Sequence, residues 1–359
     1  MAWLSGYNKR IKVTADHTKV GSNLSWFPLT IFLKSGDGDT TKIFDELGSN
    51  NLKMAITKSD GTTQLYVEIE QWDTTNKVGV LHCGRDGDTL SSSADTDYYI
   101  YYDSSHADNT DYVGVKNSTP AQSVWDGNFK AIYHMSDGAD TSHIYDSTSN
   151  NNDGAKKASN EPIQADGQIA KAQDFDGTND YINCGTPTIT GTFTVEAWAK
   201  VSDNNNRQIV GTRSPNECSF DFKFISGNKI HGDIGNGSKW ITITADASFS
   251  YSLNTWYHIV YVVTTTGYTI YANGNQVGSG SYSSTTPIFS DANHKITIGA
   301  YLGSPPSEYF YGTIDEVRIS NTARSAAWIK ASYNSENNSL VSYGSEEAII
   351  TNRRRLLII

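Results

Sequence analysis

The stretch Gly312-Thr-Ile-Asp-Glu-Val-Arg-Ile-Ser-Asn-Thr-Ala-Arg-Ser325 decides the fold of the carboxyl-terminal part of this chain. Its isoleucine and valine side chains recur among charged and polar ones, a pattern typical of a strand with one buried face. It closes a run of short strands that begins at Asp174-Phe-Asp-Gly-Thr-Asn-Asp-Tyr-Ile182. The sequence therefore predicts that this part of the chain is built from sheets.

Working outward, Trp125-Asp-Gly-Asn-Phe-Lys-Ala-Ile-Tyr-His-Met135 opens the same unit. The Asn273-Gly pair after Tyr271 predicts a tight hairpin, and Ala323–Tyr333 is the one segment with a convincing helical pattern. In the other predicted strands, apolar and polar side chains alternate or apolar residues form a run, and turn residues bound each segment. These strands are Thr192–Ala199, Phe220–Ile225, Trp240–Thr244, Trp256–Val263, Thr269–Tyr271 and Lys295–Ile298.

The order of these pieces resembles the laminin-G-like (concanavalin A-like lectin/glucanase) jelly-roll family, from the opening strand to the Ile-Asp-Glu-Val-Arg-Ile strand and the terminal helix. The resemblance implies a two-sheet β-sandwich that is used mainly to display binding loops. It specifies the fold better than the function, because one fold serves many functions.

An earlier unit has its own strand patterns, which are bounded by Gly, Asp, Ser or Asn. Its order resembles a domain of unknown function that often precedes laminin-G-like modules in environmental, archaeal and phage-associated surface proteins, and this resemblance implies no established activity. We predict an all-β protein with two β-sandwich domains, the second a concanavalin A-like/laminin-G-like jelly roll. The predicted limits are 1–115 for the first domain, 116–124 for a linker, 125–335 for the jelly roll and 336–359 for a C-terminal tail.

Composition and charge disfavour two classes of function, nucleic-acid binding and membrane insertion. The 359 residues are 37% hydrophobic and 19% charged, with a formal net charge of -11, and no basic stretch before the tail offers a face for nucleic acid. From the pattern of the first residues we expect no signal peptide, and no apolar run reaches membrane-spanning length. We expect no nucleic-acid partner and no membrane insertion, and a place on a virion or an extracellular surface.

One loop, Asp146-Ser-Thr-Ser-Asn-Asn-Asn-Asp-Gly154, concentrates carboxylate and amide oxygens, the ligands that a hard cation such as Ca²⁺ prefers. The family resemblance brings this loop near the strand that holds Asp315. It thus implies a calcium site made by Asp146, Asn152 and Asp315. The alternative is an Asx-rich turn whose side chains cap their own backbone.

Glu68, Glu70 and Asp73 form the one carboxylate set of glycosidase type. The order Glu-x-Glu-x-x-Asp differs from that of the related glucanases and falls outside the matched jelly roll. We expect a solvated strand face here and no catalytic residues. The histidines are dispersed, and the sequence contains no nucleophile or nucleotide-binding motif, so these features also indicate a non-catalytic protein.

Aromatic side chains in loops give a better indication of function, because sugar rings stack on Trp and Tyr while amides and carboxylates bind hydroxyls. Tyr301 lies in a Tyr- and Pro-rich loop, and Trp240 follows Asn and Lys. We predict that these two residues bind the ligand. The alternative is that such aromatics enter the core.

Three cysteines, Cys83, Cys184 and Cys218, predict buried free thiols, with a Cys184–Cys218 bridge as the alternative. The tail Arg353-Arg-Arg-Leu-Leu-Ile-Ile359 could add a strand to a neighbouring subunit and so form a homo-oligomer. Disorder is the default for such a terminus.

Together these features predict a non-catalytic carbohydrate-binding or adhesion protein that is displayed on a virion and binds cell-surface glycan or a neighbouring structural protein. The first alternative is a purely structural capsid-decoration or tail-fibre subunit, and the second is a glycoside hydrolase that uses Glu68 and Glu70.

Overall fold

The chain is nearly all-β, as its sequence predicts. A computed structural model describes residues 2–138, 140–213 and 218–349. Tyrosine, isoleucine, threonine and valine fill the strands, and glycine or asparagine occupies many of the turns with positive φ, as the conformational preferences of these residues favour.

The first unit begins with nine strands, two short helices and a 3-10 turn at His17–Lys19, and a tenth strand joins it from the end of the chain. The strands are β1 (Lys9–Ala15), β2 (Leu24–Ser25), β3 (Leu29–Leu33), β4 (Met54–Lys58), β5 (Tyr66–Asp73), β6 (Val78–Gly84), β7 (Thr89–Leu90), β8 (Thr96–Tyr102) and β9 (Val113–Val115), and the helices are α1 (Thr41–Leu47) and α2 (Thr119–Gln122).

Two four-stranded sheets enclose the core of this unit. One has the order β3-β6-β5-β9, with β9 parallel to β5, and the other contains β1, β8 and β4. The residues from Trp26 to Leu33 have the apolar pattern of a strand, but β3 begins only at Leu29 because Trp26 has a φ of 49°, a conformation that a strand cannot continue.

The second unit begins with β10 (Phe129–Tyr133) and contains most of the strands of the protein. The others are β11 (His143–Ile144), β12 (Gly154–Lys156), β13 (Ile163–Asp166), β14 (Lys171–Asp176), β15 (Ile182–Asn183), β16 (Ile189–Thr190), β17 (Phe193–Val201), β18 (Arg207–Gly211), β19 (Phe220–Ile225), β20 (Lys229–Gly235), β21 (Trp240–Ser248), β22 (Tyr257–Val263), β23 (Gly267–Ala272), β24 (Asn275–Ser281), β25 (Ile288–Ser290), β26 (Thr297–Ile298) and β27 (Tyr311–Ser320).

Two large antiparallel sheets form this sandwich. One has the order β13-β14-β27-β17-β22-β23-β24, with β10 also paired to β27, and the other has the order β11-β12-β15-β26-β18-β19-β20-β21. The inner faces bury Phe193, Phe220, Phe222 and Tyr261. The predicted Asn273-Gly274 hairpin is present between β23 and β24, with φ values of 48° and 74°, as a type I′ turn requires.

The chain returns to the first unit after the sandwich. Helix α3 (Ala326–Glu336) begins where the Ser325 side chain accepts a hydrogen bond from Trp328 N, a typical N-cap. The last strand, β28 (Val341–Ala348), then pairs antiparallel with β1 and completes the first sheet in the order β28-β1-β8-β4. The segment predicted as a C-terminal tail therefore supplies a strand of the first unit.

Three aromatic side chains pack between the units. Trp125, Phe129 and Trp328 belong to the same hydrophobic cluster as Ile31 and Leu81 of the first unit. No helix among the described residues is long and apolar enough to cross a bilayer. The arginine-rich segment Arg353–Ile359 lies outside the described residues, and its predicted role in self-association stays a prediction.

Candidate functional site

A cleft of about 610 Å³ opens where the first unit meets the linker and the start of the second unit. Its volume is in the range of small-ligand sites. The lining combines aromatic rings with charged and amide side chains, and comprises Trp26, Tyr66, Arg85, Asp86, Thr119, Gln122, Ser123, Trp125, Gly127 and Ser149. We call it the aromatic cleft.

Trp26 stands at one wall of the aromatic cleft in a conformation that is rare for a bulky side chain. Its φ is 49°, and the indole Nε1 donates a 3.0 Å hydrogen bond to Val124 O of the linker. Its own N–H donates to Asp88 O. Strained backbone persists where the surroundings over-determine it, and it is concentrated at functional sites.

A tyrosine and an arginine also line the aromatic cleft. Tyr66 stacks on Tyr112 with ring centroids 5.6 Å apart, and the Arg85 guanidinium lies 6.0 Å from each ring centroid. Arg85 Nη1 also donates a 2.6 Å hydrogen bond to Gln64 O. These contacts fix the orientation of a half-exposed aromatic ring and of a cation beside it.

Trp125 forms the floor of the aromatic cleft and separates it from a polar interior. Only 4% of this residue is exposed, and its Nε1 donates a 2.7 Å hydrogen bond to Glu68 Oε2. The rings of His82 and His134 lie 5.3 and 5.7 Å from the indole. Beneath the cleft the two units thus share a buried network of charged groups.

The expectation of a solvated carboxylate face on β5 is wrong. Glu68 is fully buried, and the side chain of Glu70 is 2% exposed. Trp125, Ser147 and the two histidines lie against these carboxylates, so the second unit covers the face that the strand pattern left open. Although burial opposes it, His134 and the other donors lower the pKa of Glu68 below its usual value.

The predicted calcium residues are all placed, but only two of them meet. Asp146 accepts hydrogen bonds from the backbone N–H groups of Ile132, Thr148 and Asn152. Asp315 instead accepts from the backbone of Ile169 and Glu316, and it has no described contact with Asp146 or Asn152. Burial raises the pKa of Asp315 well above its usual value.

Backbone N–H groups therefore engage the carboxylate oxygens that a calcium ion would need, and Asn152 Nδ2 donates to Lys130 O. In this arrangement the three residues do not fit an oxygen cradle for Ca²⁺. Calcium binding at Asp146, Asn152 and Asp315 stays a prediction that requires the loop to rearrange.

The predicted ligand-binding aromatics lie on the outer part of the second unit. The Arg213 guanidinium covers the ring of Tyr301 at 4.0 Å from its centroid, and ion pairs link Arg213 to Asp221 and Glu308. Trp240 is half-buried beside a groove of about 380 Å³ that it shares with Tyr282 and Ser284. Trp240 thus lines a groove, whereas an intramolecular cation covers one face of Tyr301.

Cys83 and Cys184 are buried free thiols, and Cys218 is a half-exposed one. Burial raises the pKa of the Cys184 thiol to about 12. A thiol with so high a pKa is a poor nucleophile, which leaves Cys184 a packing role.

Comparison with known proteins identifies the second unit. Residues 176–330 match the profile of the concanavalin A-like lectin/glucanases superfamily. This part of the chain has the concanavalin A-like lectin/glucanase fold, as its strand order predicts. No curated protein sequence matches the chain. The resemblance of the first unit to a domain of unknown function stays a prediction.

Solved structures with similar folds are distant in sequence. The binding domain of Paraclostridial Mosquitocidal Protein 1 aligns over 58% of this chain and 52% of its own length, with 16% identity and a TM-score of 0.44. Domain 4 of AbnA, a GH43 extracellular arabinanase from Geobacillus stearothermophilus, solved with arabinotriose, aligns over 56% of this chain and 97% of its own, with 21% identity and a TM-score of 0.44.

A third similar structure is the binding domain of Botulinum Neurotoxin DC in complex with SialylT, which aligns over 58% of this chain and 52% of its own, with 15% identity and a TM-score of 0.43. The chain thus spans about half the length of the toxin domains that it resembles.

Proposed function

We propose that this protein is a non-catalytic binding and display protein that takes a glycan in the aromatic cleft. The observation that carries the proposal is the lining of that cleft, in which Trp26 and Tyr66 stand beside Arg85, Asp86 and Gln122. Aromatic rings stack on the C–H faces of sugar rings, and amide, carboxylate and guanidinium groups bind the hydroxyls.

The cleft is also held in shape before a ligand arrives. Trp26 is fixed by its bond to Val124 O, and Arg85 by its bond to Gln64 O. Rigid walls reduce the ordering that binding must otherwise impose.

Burial of the acidic pair supports a binding role over hydrolysis. A glycosidase needs two carboxylates that flank the scissile bond, whereas Glu68 and Glu70 lie inside the protein beneath Trp125. The glycoside hydrolase alternative would require an acid pair elsewhere.

The partner we propose is a cell-surface glycan, and the setting is a virion or another exposed surface. Concanavalin A-like domains present their loops outward on a rigid sandwich, which suits display. A structural subunit that contacts only protein neighbours is the alternative outcome of the experiment below.

A glycan array tests the proposal with the full chain and two matched variants. Trp26→Ala removes a ring from the aromatic cleft, and Trp240→Ala removes a ring from the groove on the second unit. We expect Trp26→Ala to lower the affinity for the most tightly bound glycan of the array about ten-fold or more, which corresponds to roughly 1.4 kcal/mol. Trp240→Ala should leave that affinity unchanged.

Retained melting temperature would show that each variant is folded. Loss of binding in Trp240→Ala alone would move the site to the groove that the sequence predicts. A blank array with the folded native chain would overturn glycan binding and favour the structural subunit.

A further inference from the structure

Four side chains that the aromatic cleft does not use meet in the interior between the two units. Glu70 and His82 come from the first unit, and His134 and Glu316 from the second. One ligand-type atom of each lies within 4.8 Å of the others, and the four side chains are at most 2% exposed. Two imidazoles and two carboxylates form a ligand set that Zn²⁺ takes in proteins.

The distances within the group are those of ligands that crowd one point. His82 Nε2 lies 2.8 Å from Glu70 Oε2, and His134 Nδ1 lies 2.5 Å from Glu316 Oε1 and 3.8 Å from Glu70 Oε2. The imidazole rings stack with centroids 4.6 Å apart. Each histidine thus turns one nitrogen toward the two carboxylates.

Irregular backbone delivers both carboxylates. In β5, Ile69 pairs with Leu81 and Gln71 with Val80, so Glu70 is an extra residue in a bulge. A second bulge lies in β27, where Glu316 has a φ of 47°. Bulges redirect side chains beside functional sites, and a left-handed non-glycine residue costs free energy that the surrounding structure must offset.

The outer nitrogens of the histidines face polar groups of the kind that orient metal ligands, although His134 Nε2 makes no hydrogen bond. His82 Nδ1 lies 3.1 Å from Thr30 Oγ1, and His134 Nε2 faces Glu68 Oε2 at 3.5 Å. Glu68 is held in turn by Trp125 and Ser147. Such outer partners fix the tautomer and the ring orientation of a metal-bound histidine.

An unsatisfied atom points to a missing partner within the group. Glu70 Oε1 is buried and has no hydrogen-bond partner, although its neighbour Oε2 contacts His82. A buried carboxylate oxygen without a partner is costly. A cation bound by Glu70 would satisfy it.

We propose that Glu70, His82, His134 and Glu316 bind a divalent transition-metal ion, Zn²⁺ in the first instance, between the two units. All four positions come from protein side chains and the group is closed to solvent, as in structural rather than catalytic zinc sites. Because each unit supplies two ligands, the ion cross-links the two units and holds them in one orientation.

The experiment uses the full chain, unfolded with a chelator and refolded with or without Zn²⁺, because a closed site must be loaded during folding. Elemental analysis should find one zinc per chain, and the loaded chain should melt several degrees higher, since binding to the native state alone stabilises it. Refolding with Co²⁺ should give the visible absorption of a four-coordinate site.

Two ligand variants and one outer-partner variant test the assignment. Glu70→Gln and His82→Gln should each lower zinc affinity by at least a hundred-fold, while Thr30→Val, which removes only an outer partner, should lower it about ten-fold. The matched control is His231→Gln, in the separate group that half-buried His231 forms with the buried Asp221 and Asp233, and this variant should bind zinc like the native chain.

The proposal fails if the refolded native chain takes up no zinc and melts at the same temperature with and without the ion. In that case the four residues form an ion-pair network only. It also fails if His231→Gln loses the bound zinc and Glu70→Gln retains it. Zinc uptake and the cobalt spectrum are measured on the native chain, so they test the proposal even if a variant does not fold.

Discussion

The indole Nε1 of Trp198 donates a 2.6 Å hydrogen bond to Glu336 Oε2 and joins β17 to the last residue of α3. The other carboxylate oxygen of Glu336 forms an ion pair with Arg318, and both side chains are buried. This pair fixes the point at which the chain leaves the sandwich for the first unit.

Glu336→Ala is expected to lower the free energy of unfolding by about 3 kcal/mol, because it leaves a buried guanidinium with one carboxylate partner fewer. Urea unfolding measures the change. Lys330→Ala on the exposed face of the same helix is the control and should stay within about 0.5 kcal/mol of the native chain. Equal effects of the two substitutions would contradict the assignment.

Substitutions at Trp26 report the strain at the aromatic cleft. Trp26→Gly and Trp26→Ala both remove the ring, but glycine alone accepts a φ of 49° without a steric penalty. The glycine variant should therefore be the more stable by about 1 kcal/mol. At Ser25, an exposed residue of β2, the alanine variant should instead be more stable than the glycine variant. If glycine were the more stable, or alanine the more stable, at both positions, the backbone at Trp26 would not be strained.

Truncation tests the contribution of β28. A chain that ends at Leu340 loses the strand that pairs with β1, whereas a chain that ends at Ile349 retains it. The shorter chain should melt roughly 5 °C lower or more and should self-associate through the edge of β1 that it uncovers. Calorimetry measures the melting temperature, and sedimentation measures self-association. If the two chains gave the same melting temperature and the same oligomeric state, β28 would not have the proposed role.

Acid should weaken the ion pair between Asp203 and Arg207. Hydrogen bonds from Arg207 hold the pKa of Asp203 at about 2, below its unfolded value of 3.8. Its contribution is therefore complete above pH 3.8 and declines as the pH falls toward 2. Asp203→Asn should cost about 1 kcal/mol at pH 6, and that difference should shrink at pH 2.5; a constant difference would exclude the linkage.

Local patterns predict the sandwich well. Phe220–Ile225 is a strand with the predicted bounds, and the Asn273-Gly274 turn has the predicted backbone. Both depend on neighbours in sequence: alternation sets which face is buried, and a type I′ turn needs residues that accept positive φ. Alternation likewise marks β27, although not its bulge at Glu316.

The site depends on contacts that no local pattern carries. Glu68 and Glu70 look solvated within their own strand, and they become interior only because Trp125 and His134 arrive from the second unit. The aromatic cleft likewise joins Trp26, Tyr66 and Ser149 from three separate segments. Aromatic residues recur on both sides of the linker, at Tyr112, Trp125 and Phe129, but a local pattern does not reveal which rings converge.

The pairing of β1 with β28 makes the first unit discontinuous along the chain. Arg10 and Glu347 are 337 positions apart yet share one ion pair. The concanavalin A-like unit is therefore an insertion into the first unit, whose first sheet is made from both ends of the chain. Because non-local contacts form slowly, we expect the pairing of β1 with β28 to form late in folding.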